Sequence, residues 1–177
     1  HYRGNRWKSI IIVLESPKQV RCVDKYASSL EELSICSVNL NYDCFKSLNN
    51  LRNLSSLSLI NCFKLYEPDN NLNLLSNLKM LKYVNLKENN IRNLERIPFQ
   101  AWTLLEVIIL DANNLEQLHE DIWKMKHLKT LSVKNNPYLS RFCFPDKVVS
   151  QLEELKMLKT SLHLPPKEIL VNLKVLS

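Results

Sequence analysis

The sequence predicts an α/β-type repeat solenoid. Two observations carry that expectation: an eleven-residue phrase of leucines and one asparagine recurs along the chain, and each copy alternates apolar and polar residues as a short strand does. Composition removes several competitors. The 177 residues include 33 Leu and 20 Asn but one Gly, Gly4. A phosphate-cradling loop, a dinucleotide fingerprint or a nucleophile elbow needs several backbone positions without Cβ, which counts against most nucleotide-dependent enzymes. The length suits one compact domain or one repeat array.

The phrase is L-x-x-L-x-L-x-x-N-x-L. Leu81–Ile91 and Leu105–Leu115 match every apolar position and the Asn. Leu128–Leu139 and Leu54–Leu65 place the last leucine one residue late, and the latter has Cys62 at the Asn position. Leu30–Leu40 has Val38 there, and Leu152–Leu162 has Thr160. The leading leucines fall at 30, 54, 81, 105, 128 and 152, in steps of 24, 27, 24, 23 and 24. A strand with one apolar face buries that face only by stacking on its neighbours, so at least three copies are needed, and six are present. After each strand the chain must turn away sharply, and a buried turn leaves backbone N–H and C=O groups in need of partners. Asn89, Asn113 and Asn136 can supply them.

The ends differ from the middle. Residues 1–29 are expected to form an N-terminal β cap, with one strand at Ser9–Glu15 and a second possible strand at Gln19–Val23. Residues 30–164 hold the repeats, and 165–177 a partial repeat or cap. The sequence starts at His1 and not Met, which suits a processed product or an excised piece. Six cations against two anions give residues 1–29 a net charge of +4 within a total of +6, which reads as a solvated basic flank. The longest apolar run, Ile10–Leu14, is five residues, far short of a membrane span of about 20. The apolar tail Ile169–Leu176 would suit self-association, so a homodimer is an open expectation.

Chemistry is sparse. His1, His119, His127 and His163 show no metal-ligand spacing, and neither a metal nor a cofactor is expected. A thiol hydrolase using Cys143 with His119 or His163 is a distant alternative; no enzyme activity is expected. Five cysteines, Cys22, Cys36, Cys44, Cys62 and Cys143, form no C-x-x-C pair. In an oxidising compartment Cys22 with Cys44, or Cys36 with Cys62, could pair, and a Cys22–Cys44 staple is preferred. Asn53-Leu54-Ser55 is a glycosylation sequon. Together with the non-Met start and the cysteines, it favours a secreted, extracellular protein over a cytoplasmic one.

The repeated phrase resembles the leucine-rich repeat family over residues 30–164. The resemblance implies a right-handed curved array with a parallel concave β-sheet and an irregular or helical convex side. It also implies that Asn89, Asn113 and Asn136 form a ladder between coils, with Cys62 like the cysteine of some subclasses and with Val38 and Thr160 as departures. Residues 90–102 are similar to the 24-residue class of the family, and Leu115–Leu128 to the 23-residue class often seen in cytosolic members. Phe45, Phe99, Trp102, Ile122 and Met125 are expected in the core.

By the period-two rule the residues between the apolar positions face outward on the sheet. That face holds six Lys against seven Asp or Glu, so it lacks the positive field that phosphate backbones require, and nucleic acid is not expected. Its middle places Tyr83, Val107 and Ile109 among Lys82, Asn85, Lys87, Asp111, Lys129, Ser132 and Lys134, an apolar centre with a charged rim. These ten residues are the candidate partner-binding site. The family resemblance implies a non-enzymatic protein-recognition module of the secreted or receptor-type immune kind. The alternative is an intracellular adaptor or sensor domain that regulates a signalling or enzyme complex.

Overall fold

A computed structural model describes residues 8–13, 17–20, 22–63, 71–145, 149–163 and 170–177. Gly4, Leu14, Glu15, Arg21, Leu65 and Ile169 lie outside the described residues.

In chain order the elements are β1 (Ser9–Val13), α1 (Pro17–Val20), a 3-10 turn (Val23–Tyr26), β2 (Glu32–Cys36), α2 (Tyr42–Leu48), β3 (Ser56–Ile60), a second 3-10 turn (Leu72–Asn77) and β4 (Tyr83–Asn85). They continue with β5 (Val107–Ile109), β6 (Gln117–Leu118), α3 (Asp121–Lys124), β7 (Thr130–Ser132), β8 (Arg141–Phe142), β9 (Glu154–Lys156) and β10 (Val175–Leu176). Among the described residues, eight strands make one sheet in the order β1-β2-β3-β4-β5-β7-β9-β10, and β6 with β8 makes a second, two-stranded one. All pairings are parallel. Strand thus follows strand along a curved solenoid, with helices and turns on the return path.

The register repeats the leucine spacing. Leu33 pairs with Leu57, Leu57 with Val84, Val84 with Ile108, Ile108 with Leu131 and Leu131 with Leu155. These residues form one buried column, each no more than 2% exposed. The leading leucines Leu30, Leu54, Leu81, Leu105, Leu128 and Leu152 form a second buried column. A single slip in register would turn every such side chain to water, so the columns themselves fix the pairing. β1 and β10 join the same sheet, Ser9 opposite Glu32 and Val175 opposite Glu154, so both flanks of the repeats extend the array.

The second strand expected near the N-terminus, Gln19–Val23, is not formed by its described residues: Gln19 and Val20 end a helix and Val23 begins a 3-10 turn, while Arg21 lies outside the described residues. Pro17 opens α1, and Val20 and Val23, three residues apart, both turn inward with 0% and 2% exposure. Proline favours a first helical turn, the place Pro17 takes. Of the expected core, Phe45, Phe99, Trp102 and Ile122 are buried, while Met125 is only half-buried. Trp123, not anticipated, takes the central place and packs on Phe142 and Phe144 with ring centroids 5.8 and 4.9 Å away. The Trp102 indole N–H donates to Leu75 O at 3.2 Å, tying one return segment to the one before.

Each of β2, β3, β4, β5, β7 and β9 is followed within three residues by a residue in the left-handed region. Ser37, Asn61, Glu88, Ala112, Asn135 and Lys159 have φ between 53° and 62°, although none is glycine. Such conformations cost roughly 1–2 kcal/mol for a residue with a Cβ. What holds them is the residue immediately after. Asn113 Oδ1 accepts from Asn89 N and Ile91 N, both at 3.0 Å, and its Nδ2 donates to Leu86 O and Leu110 O, both at 2.9 Å. Asn89 Oδ1 accepts from Cys62 N at 2.7 Å while its Nδ2 donates to Leu59 O at 2.6 Å. Asn136 Oδ1 accepts from Leu115 N at 3.1 Å, and its Nδ2 donates to Leu110 O at 3.0 Å. The three side chains are at most 3% exposed, and each bridges its own coil to the preceding one. Cys62 gives a shorter version, its Sγ donating to Ile35 O and Ile60 O at 3.3 Å. Val38 is buried without polar reach, and Thr160 bonds locally to Met157 O at 2.8 Å.

Removing one buried rung strands several backbone groups at once, each unsatisfied group costing about 1–3 kcal/mol. Asn113→Ala should therefore lower unfolding free energy by about 3 kcal/mol or more in urea titrations, whereas Asn93→Ala, at an exposed position with ordinary φ, should change it by under about 1 kcal/mol.

Candidate functional site

Parallel register sorts the outward residues of the sheet into rows that cross the strands. One row holds Tyr83, Val107 and Thr130, and the next Asn85, Ile109 and Ser132. Lys87, Asp111 and Lys134 follow two residues on. Tyr83, Val107 and Ile109 are half-buried at the centre, with Lys82 and Lys129 exposed at the strand entrances. Nine of the ten candidate site residues thus meet on one patch of surface.

Ser132 is the exception. It is only 3% exposed, because its hydroxyl donates to Asp111 Oδ1 at 2.6 Å and the carboxylate lies over it. The same oxygen accepts from Lys134 N at 2.9 Å. Asp111 therefore locks β5 to the end of β7 and is less a free recognition group than a clamp. Asn85 Oδ1 accepts from Lys87 N at 3.1 Å.

Most charges on this face are already matched. Lys87 pairs with Glu88 at 2.9 Å, Lys129 with Glu106 at 3.5 Å, Lys156 with Glu154 at 3.0 Å and Lys174 with Glu153 at 2.7 Å. The hydrogen bond to Glu88, with its charge, holds the Lys87 ammonium above the ordinary lysine range. Lys174 likewise holds the Glu153 carboxyl below the usual glutamate range. Sequence reasoning missed these pairs, although the signal was present: Glu106, Lys129 and Glu153 occupy the same position of successive phrases and so stand side by side.

The cysteines are all free thiols. Cys22 and Cys44 are not joined as expected; Cys22 Sγ points to Lys18 O and Cys44 Sγ to Pro17 O, each at 3.6 Å, so the two thiols serve different carbonyls. Burial pushes the Cys62 thiol up to about 12, which keeps it protonated as a donor. Cys143 is half-buried beside Phe142 and Phe144, and His119 Nδ1 is turned to Asp121, accepting from its backbone N–H at 3.3 Å. Among the described residues no group of three or more His, Cys, Asp or Glu side chains could hold a metal ion. No helix among them is long and apolar enough to cross a membrane. On the convex side, a half-open cavity of about 540 Å³ lies between the return segments at Phe99–Leu104 and Asp121–His127.

The family model described as leucine rich repeat matches residues 77–137, which contain two of the most regular phrases and most of a third. The chain thus carries a leucine-rich repeat region over those residues. A relative, the MAP kinase phosphatase with leucine-rich repeats protein 3 of Dictyostelium discoideum, is 32% identical over 119 residues, covering 61% of this chain and 14% of that protein. Among solved structures, an internalin of Listeria monocytogenes matches with a TM-score of 0.55 and 17% identity, over 87% of this chain and 49% of its own. A chain of the mouse RP105/MD-1 complex matches with a TM-score of 0.55 and 15% identity, over 96% of this chain and 37% of its own. At these identities the two structures share the fold. This leucine-rich repeat chain spans less than half the length of each of the three proteins. Leucine-rich repeat modules serve protein recognition, and the fold is typically a non-enzymatic binding scaffold.

The thiols give a direct check on the geometry. In native protein at pH 8, Cys22, Cys36 and Cys143 should react with iodoacetamide, while buried Cys44 and Cys62 should be modified only after unfolding. Peptide mass mapping reads the difference, and rapid native labelling of Cys62 would contradict its burial.

Proposed function

We propose that this leucine-rich repeat chain is a non-enzymatic recognition module that binds a protein partner on the centre of its concave sheet. The observation that carries the reading is the patch of Tyr83, Val107 and Ile109, half-exposed on three-residue strands locked in register and bordered by charged side chains. Interfaces of this type place apolar and aromatic anchors at the centre and charged groups at the rim. The strands are held by backbone bonds on both sides and by the asparagine ladder behind them, so the surface is preorganised and little ordering entropy is lost on binding.

The biological setting we favour is innate immune or receptor-type recognition outside the cell. It fits the likeness of fold to the RP105/MD-1 chain and the exposed Asn53 of the sequon. A second setting is supported by a separate observation: the relative in Dictyostelium is a phosphatase that carries leucine-rich repeats, which suits an intracellular adaptor that regulates a signalling enzyme. Intact mass of the natural protein separates the two. A glycan on Asn53 supports the extracellular setting, and an unmodified chain with five alkylatable thiols supports the intracellular one.

The recognition reading is tested by combining Ile109→Asp with Tyr83→Ala. Both side chains lie half-exposed on the outer face of the sheet, so the variant should keep the circular dichroism of the natural chain, while proteins captured by the natural chain from extracts of its source should be lost by the variant. Equal capture by both would move the site off this patch.

A further inference from the structure

The charges left over after internal pairing describe the partner. The residues that enter the strands form a row across the sheet: Lys8, Glu31, Ser55, Lys82, Glu106, Lys129, Glu153 and Lys174, each linked to the next through backbone N–H to O bonds of 2.7–2.8 Å. Along most of this row cations and anions alternate and neutralise each other, Lys8 with Glu31 at 3.1 Å, Glu106 with Lys129 and Glu153 with Lys174. Ser55 breaks the alternation. It stands where an anion would be needed beside Lys82, and Glu106 on the other side is held by Lys129. The Lys82 ammonium is left with no ion-pair partner among the described residues.

A second leftover cation arises at the other end of the same strands. Lys87 is taken by Glu88. Asp111 stands between Lys87 and Lys134 but spends one carboxylate oxygen on the Ser132 hydroxyl and the backbone N–H of Lys134, not on its ammonium. Lys134 Nζ has no ion-pair partner among the described residues. Lys82 and Lys134 therefore stand at diagonal corners of the patch, with Tyr83, Val107 and Ile109 between them. Adjacent strands are about 4.8 Å apart and residues rise about 3.3 Å, so the diagonal is roughly 20 Å, within the span of six or seven extended residues.

We propose that the segment seated on this patch is acidic at both ends and apolar in the middle: carboxylates meet Lys82 and Lys134, and apolar side chains meet Tyr83, Val107 and Ile109. The inference rests on the concave sheet being the recognition surface. A phosphate backbone would call for a continuous cationic track, whereas Lys82 and Lys134 are separated by the apolar centre of the patch. A basic segment would meet two uncompensated ammoniums, because the acids nearest to it are bound to the protein's own lysines and amides. Charge complementarity of this kind selects partners and speeds encounter.

The test uses the full chain and three fluorescein-labelled octapeptides with a Leu-Phe-Ile-Leu centre, ending in paired aspartates, paired lysines or paired serines, read by anisotropy. The aspartate peptide should bind best and weaken as salt rises. Lys82→Glu with Lys134→Glu should reduce its affinity about tenfold or more and should create binding of the lysine peptide. Lys82→Gln with Lys134→Gln, a gentler pair, should weaken the aspartate peptide without gain for the lysine one. Equal binding of all three peptides, no binding of any up to about 1 mM, or no response to charge reversal would overturn the proposal. A duplex DNA that binds the patch more tightly than the aspartate peptide would overturn it in favour of nucleic acid. If Ile109→Asp with Tyr83→Ala abolishes partner capture while charge reversal has no effect, only the acidic assignment fails; if neither set matters, the recognition surface itself is misplaced.

Discussion

Everything in this array depends on satisfying the backbone where each strand ends. The chain leaves the sheet through a left-handed residue and plunges inward, where water cannot follow and an unpaired N–H or C=O is costly. A side-chain amide is well suited to that place because one end accepts while the other donates. Asn113 shows the economy of the solution, with two N–H groups and two carbonyls of neighbouring coils gathered on one side chain. With the turns secured, the return path is free to vary, and it does: a helix of seven residues follows β2, a 3-10 turn precedes β4, and a four-residue helix precedes β7.

The same constraint produces the surface. Locked turns fix the strand register, and register lines up like positions of every phrase in rows. Along such a row, sequence neighbours 23 or 24 residues apart become contacts, so a glutamate and a lysine at one phrase position make an ion pair on the sheet. Exposed pairs of this kind add little stability, about 0–1 kcal/mol. Their larger effect is to cancel charge, which confines the open cations to the places where the row falls out of phase.

The fold was largely legible because repetition supplies what a single strand pattern lacks. Alternation at Leu81, Val84 and Leu86 alone could belong to many sheets, but six copies at near-constant spacing leave one way to bury all of them. Asn89, Asn113 and Asn136 were legible for the same reason. Gln19–Val23 was not, since a five-residue run lies outside the repeats and Val20 and Val23 fit a helical turn as readily as a strand. Trp123 was hidden by its setting in a short helix whose adjacent residues Ile122 and Trp123 are both buried, a pattern with no period. Ser132 lies where alternation puts an outward residue, and only the contact from Asp111 on the next strand covers it. Position along a strand was readable; occlusion by a neighbour's side chain was not.

The asparagine rungs do not run the length of the array. They begin at the coil of Cys62 and end at Asn136, with valine at one margin and a locally bonded threonine at the other. In a molecule whose coils touch only their neighbours, cooperativity is passed from coil to coil, and a missing rung is a weak coupling in that chain. The coils on either side of the rungs are therefore tied to the middle by the strand ladder and apolar contacts without a buried amide. The patch of Tyr83, Val107 and Ile109 lies inside the fully runged segment, where side-chain amides as well as the strand ladder join each coil to the next.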